Sequence, residues 1–273
     1  MTEQDWVAGT DPQPILEFVQ AGGKASSRKL RLYSCACVRQ AWSALPGEEL
    51  RNLVKTAERH ADGQVTATVL LLAAIEALEW DGRGLPCGEK DAMQAAAASA
   101  TWRLVKAGLL EASAEAHRRM REACQQAKLA EREQQGPSRS AEAFALVTNA
   151  AAASVVASEA KERVSQEGLR AERERLLASA ANLLRDLFGN AFRPITINPT
   201  WLVWNDGTVR RLADVIYNER SLPDGHFDVV KLAVLADALE DAGCADPDLL
   251  GHLRGPGPHV RGCWAVDLLL RKE

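Results

Sequence analysis

The stretch LADALEDAGCADPDLLGHLRGPGPHVRGCWAVDLLLRK, Leu235 to Lys272, carries the reading of the fold. It opens as an amphipathic helix. With the residues just before it, Val229, Leu232, Leu235, Ala236 and Leu239 recur at helical spacing and are expected to share the inward face. Asp246-Pro247 then supplies an N-cap followed by proline at the first helical position, which predicts a short second helix to Leu253. The knot Arg254-Gly-Pro-Gly-Pro-His259 stops that helix. Alternating glycine and proline fix a backbone path that a mere connector does not need. Pro258 predicts a last helix over His259 to Arg271. The knot sets His259, Arg261 and Cys263 near Cys244 and His252 in the chain.

The same signals recur toward the N-terminus. Asp11 and Pro12 predict a short helix ended by Gly22-Gly23. Ser26 or Ser27 caps a longer helix reaching about Leu45, and Pro46-Gly47 breaks the chain. Glu48 to Ala61 and Thr66 to Trp80 read as two more helices. Asp81 to Gly88 is a loop that closes an N-terminal helical domain, 1–88. The segment 89–188 is Ala-rich and charged, with a turn at Gly136-Pro137-Ser138. Leu176, Ala180, Leu183 and Leu187 form a heptad-like seam. Two long helices joined by a short turn run antiparallel, so 89–188 is expected to be a long helical hairpin, with a compact bundle broken near Gly168 as the alternative. A C-terminal helical domain, 189–273, completes an all-α fold whose two ends form one or two heads.

Composition bounds the function. Apolar residues make up 47% of the chain but aromatic residues only 5%, so alanine supplies much of the core, which favours helices over sheets. The net charge of -4 gives no global pull toward nucleic acid or an acidic membrane surface. The acidic, polar start MTEQDWVAGTDPQP lacks the features of a signal peptide, and no apolar run is long enough to span a bilayer. These features point to a cytoplasmic protein with reduced thiols.

Several phrases resemble an uncharacterised, paralogue-rich bacterial family. They are Trp6-Val-Ala-Gly-Thr-Asp-Pro-Gln-Pro-Ile-Leu-Glu-Phe18, Ser27-Arg-Lys-Leu-Arg-Leu-Tyr-Ser-Cys-Ala-Cys37, Leu183-Leu-Arg-Asp-Leu-Phe-Gly-Asn-Ala-Phe-Arg-Pro194 and the C-terminal block. Leu235 to Gly243 is also similar to the LADWLEE-type helix of a small bacterial repeat-companion module, with Ala238 where that module has tryptophan. The resemblance implies conserved ends around a variable Ala-rich middle. It implies no activity.

Candidate chemistry gathers in the C-terminal region. Cys244, His252, His259 and Cys263 are a candidate metal set, since imidazole and thiolate in tetrahedral geometry suit zinc. Cys35 and Cys37 lie two apart on a helix, point to different faces and read as packed thiols. Asp237, Glu240 and Asp241 share one helix, whereas paired hydrolytic acids must converge across a cleft. The knot lacks the lysine and hydroxyl of a phosphate loop. Arg193, Trp201, Trp204, Arg254, His259 and Arg261 are the candidate contacts, because aromatic and arginine anchors dominate interfaces. The leading expectation is a non-enzymatic interaction or scaffold protein without a cofactor, binding a protein partner or a second copy through the hairpin. The alternative is a metal- or thiol-dependent enzyme or sensor on the Cys/His set, with zinc as its metal.

Overall fold

The computed structural model describes residues 1–23, 25–40, 42, 48–79 and 166–272. The fold is all-α. Among the described residues the only extended pairing is an isolated antiparallel bridge, His226 with Val260. No helix among them is long and apolar enough to cross a membrane. The expected hairpin falls mostly outside the described residues. Its last part is a helix, Gln166–Phe188, that runs without a break through Gly168.

The chain divides into two compact units, Met1–Gln40 with Arg173–Glu273, and Ala41–Glu172. In the second unit α4 (Glu48–Ala61) packs against α5 (Ala67–Glu79). Leu53, Val54, Ala57 and Glu58 lie on the buried side of α4, while Lys55 pairs with Glu48 at 2.7 Å on the outside.

The first unit holds everything that follows. Its N-terminal helices are α1 (Glu3–Ala8), α2 (Pro12–Ala21) and α3 (Ser27–Arg39). Each begins on a side-chain cap: Thr2 in a capping box, Asp11 on the Gln13 N–H, and Ser26 on the Lys29 N–H. The long helix α6 (Gln166–Phe188) enters this unit at Arg173. Then come α7 (Pro199–Asn218), α8 (Val229–Asp241), α9 (Pro247–Arg254) and α10 (Trp264–Leu270). Asn198, Asp228 and Asp246 cap α7, α8 and α9. Helix α7 breaks at Trp204–Gly207, where Asn205, Asp206 and Gly207 all take positive φ, as the Asn-Asp-Gly turn signal requires.

Leu232, Leu235 and Leu239 of α8 meet Val209, Ala213 and Ile216 of α7, Leu249 and Leu253 of α9, and Val266 and Leu269 of α10 in one core. A fully buried leucine contributes roughly 1.5–3 kcal/mol, so this small-residue core suffices without many rings. Long polar bridges tie the N-terminal helices to α6 and to α10. The Arg185 guanidinium on α6 donates to the carbonyls of Trp6, at 2.6 Å, and of Gly9. Arg28 grips the Asp267 carboxylate with both terminal nitrogens, at 2.6 and 3.1 Å, and Lys29 reaches the same carboxylate at 2.6 Å.

The last helix is shorter than its sequence suggests. It begins at Trp264, not at His259. Gly262 sits at φ +94°, which ends any helix through it, and a Cβ there would come within 2.8 Å of Leu32 Cδ1. The His259 carbonyl is also taken by the Phe227 N–H at 2.8 Å. Residues 255–263 therefore form a fixed loop that carries His259 inward.

Candidate metal centre

Three elements converge on one buried point. Helix α6 supplies Asp186, the last turn of α9 supplies His252, and the loop to α10 supplies His259 and Cys263. One ligand atom from each lies within 4.8 Å of every other. Asp186 Oδ1 stands 3.1 Å from His259 Nδ1 and 3.3 Å from His252 Nε2. His252 Nε2 is 3.2 Å from Cys263 Sγ. The second carboxylate oxygen accepts the Val260 N–H at 2.9 Å. His259 Nε2 lies 3.1 Å from the Gly255 carbonyl. The His252 ring meets the His259 ring edge-on at 4.8 Å and the Trp264 ring at 4.9 Å, which walls the outer side.

The glycines of the knot are needed here. Gly257 takes φ +95°, and a Cβ on it would stand 3.1 Å from the His259 nitrogen and 3.4 Å from its ring. A side chain at that position would push His259 out of the cluster. Gly262 makes the close turn against Leu32 that delivers Cys263.

Burial and neighbours set the charges. Burial works to raise the Asp186 carboxyl, but hydrogen bonds from His252 and His259 outweigh it and hold the group below its ordinary value. Burial works to lower His259, and the adjacent Asp186 charge with the Gly255 carbonyl carries it above its ordinary value instead. Burial, then the charge of Asp186, pushes the Cys263 thiol well up. Cys263 is fully enclosed at 0% exposure, whereas the His252 side chain keeps 20%.

Of the four metal candidates read from sequence, the structure brings together His252, His259 and Cys263. Cys244 is a correction. It packs in the core beside α8 and α9, its N–H bonded to the Leu239 carbonyl at 2.9 Å, and it is not part of the cluster. Asp186 takes the fourth place. Sequence reasoning missed it, though a signal existed. An acid one residue before Leu187 and three after Leu183, both fully buried, needs a buried partner.

The candidate contact residues divide. Trp201, at 9% exposure, His259 and Arg261 are buried, so they are not presented as a surface platform. Trp201 closes the end of the core, and the Arg261 guanidinium lies 5.0 Å over the Tyr217 ring. Trp204 is half-buried against the same core. Arg193 is exposed and paired with Glu3 at 2.5 Å. Arg254 bridges Asp237, at 2.7 Å, and Glu240 on α8. Arg193 and Arg254 are thus each matched by acids.

The fold and the cluster together define an all-α protein with an enclosed Asp/His/His/Cys centre. Comparison with protein-family models, curated proteins and solved structures gives no match for this chain.

Proposed function

We propose that this is a non-enzymatic interaction or scaffold protein of the cytoplasm, docking a protein segment on the outward face of α8. The observation that carries the reading is a stripe at helical spacing: Val230, Val234, Asp237 and Asp241. Val230 is 69% exposed and Val234 48%, while Leu232, Leu235 and Leu239 on the other side are fully buried. Val229, expected from the sequence on the inward face, is also exposed, because as the first residue of α8 it lies beyond the reach of the core. Single exposed valines need no explanation, but two stacked one turn apart make a contact strip. Asp237 in the stripe already pairs with Arg254, so the occupant we propose is an amphipathic helix that docks by its apolar face, with a basic position only opposite Asp241. The Ala-rich segment 89–188 offers a second route, through self-association.

The test compares the wild-type chain with Val230→Asp plus Val234→Asp. Cross-linking mass spectrometry in the native lysate and sedimentation of the purified chain are the readouts. A partner, or a dimer, lost in the double variant at unchanged thermal stability supports the reading. The same partners and mass in both chains contradict it.

A second reading, a metal- or thiol-dependent sensor, is favoured by the convergence of Asp186, His252, His259 and Cys263. Cys263 is fully enclosed, out of a substrate's reach, so a ligand role, in which a bound ion would hold it as the thiolate, suits it better than a nucleophile's.

A further inference from the structure

We infer that Asp186, His252, His259 and Cys263 bind one divalent ion of zinc type in a closed, four-coordinate structural site. The inference stands apart from the docking face on α8, and either can fail alone.

The first ground is spacing. Zinc holds nitrogen and oxygen at about 2.0–2.2 Å and sulfur at about 2.3 Å, so tetrahedral ligand atoms stand roughly 3.3–3.6 Å apart. Three donor pairs lie at 3.1, 3.2 and 3.3 Å, and no pair exceeds 4.8 Å. Those three pairs need to open by only tenths of an ångström to surround an ion, and the remaining pairs lie within 4.8 Å.

The second ground is donor accounting. His259 Nε2 faces a carbonyl oxygen and therefore carries its proton. In a neutral ring Nδ1 is then a bare lone pair, and it is aimed at a carboxylate oxygen 3.1 Å away. Two lone pairs face each other unless a cation lies between them. That cation is either a second ring proton or a metal ion. His252 Nε2, directed at both the carboxylate and the thiol, adds a further donor to the same point. A ring proton on His259 satisfies one pair of atoms. A metal ion satisfies all the donors at once.

The third ground is charge. A doubly charged cation with one carboxylate, one thiolate and two neutral imidazoles sums to zero. Neutrality matters because an uncompensated buried charge costs several kcal/mol.

The fourth ground is the surrounding shell. Metal-bound histidine characteristically donates its other N–H to a carbonyl or carboxylate, and a ligating carboxylate is itself hydrogen-bonded. His259 has Gly255 in that role, and Asp186 has the Val260 N–H. The positive-φ glycines 257 and 262 shape the loop that supplies both partners.

Ligand type chooses the ion. Thiolate and imidazole select zinc over magnesium or calcium, which prefer oxygen. Burial on three of the four residues marks a structural site, since catalytic sites keep an open position.

The experiment uses tag-free full-length protein purified without added metal. Elemental mass spectrometry is expected to find about one zinc per chain, as one four-ligand site holds one ion. After chelation and dialysis, Co²⁺ alone is added and the spectrum recorded. The visible bands of tetrahedral cobalt with a thiolate-to-cobalt charge-transfer band are expected. Cys263→Ser removes the charge-transfer band, and Cys244→Ser leaves it. His252→Ala, the most exposed ligand, weakens zinc binding by at least the roughly 10–100-fold that loss of an outer partner costs. Should the variants not fold, wild-type protein decides alone, through a rise in its thermal midpoint on adding one equivalent of Zn²⁺. No uptake of zinc or cobalt by folded wild-type protein overturns the inference. So does a charge-transfer band that survives Cys263→Ser.

Discussion

Two carboxylates in the same unit are buried to the same degree, Asp186 and Asp267, each with 2% of its surface exposed. Their partners differ in kind. Asp267 is held by the cationic side chains of Arg28 and Lys29, which neutralise it directly. That arrangement is a brace between α3 and α10. Asp186 is held by two imidazoles and faces a thiol. Imidazole and thiolate are metal-donor groups, and their donor atoms converge on one point. Burial of an acid does not define a site. The chemistry of what surrounds it does.

The largest effect expected is on Asp186. Asp186→Ala strands the Val260 N–H and both histidines, so urea unfolding should show a loss of about 3–5 kcal/mol, the cost of breaking a buried pair from one side. Arg28→Ala leaves Lys29 on Asp267 and should cost less, about 1.5–3 kcal/mol for a charged hydrogen bond. Equal losses would erase the distinction between the two acids.

A smaller effect separates metal from proton. In chelated protein His259 has its value raised from 6.5, so its stabilisation is complete below that pH and declines as pH rises through the raised value. Asp186, lowered from 3.8, stabilises above that pH and loses its contribution as pH falls through the lowered value. The thermal midpoint of the chelated chain should therefore fall on both sides of a maximum. The zinc-loaded chain should lose stability only toward acid, where protons compete for the ligands. Identical profiles with and without zinc would contradict the site. The smallest effect belongs to Arg254, whose partners Asp237 and Glu240 are exposed. Arg254→Ala should leave the thermal midpoint within measurement error, as solvent-exposed pairs contribute little.

The helical character was legible in the sequence because its signals are local. Asp246-Pro247, Asp228 and the Asn205-Asp-Gly207 turn act within a few residues and form as their chemistry requires. The centre was legible only in part. His252, His259 and Cys263 lie close together in the chain, and a search near the knot finds them. Cys244 lies equally close, yet the turn after α8 folds it into the core. Asp186 is on a helix far upstream, and only packing brings α6 to the knot. His259 and Cys263, four residues apart in what the sequence suggests is one helix, illustrate the same limit. The two converge through a loop shaped by Gly262 rather than along a helix face.

The most direct test of the centre is X-ray absorption at the zinc edge, on full-length protein as purified. One sulfur at about 2.3 Å with three nitrogen or oxygen neighbours near 2.0–2.2 Å is the shell that Asp186, His252, His259 and Cys263 would give. A shell without sulfur, or with two or more sulfurs, would place the ion elsewhere and leave Asp186 a second brace like Asp267.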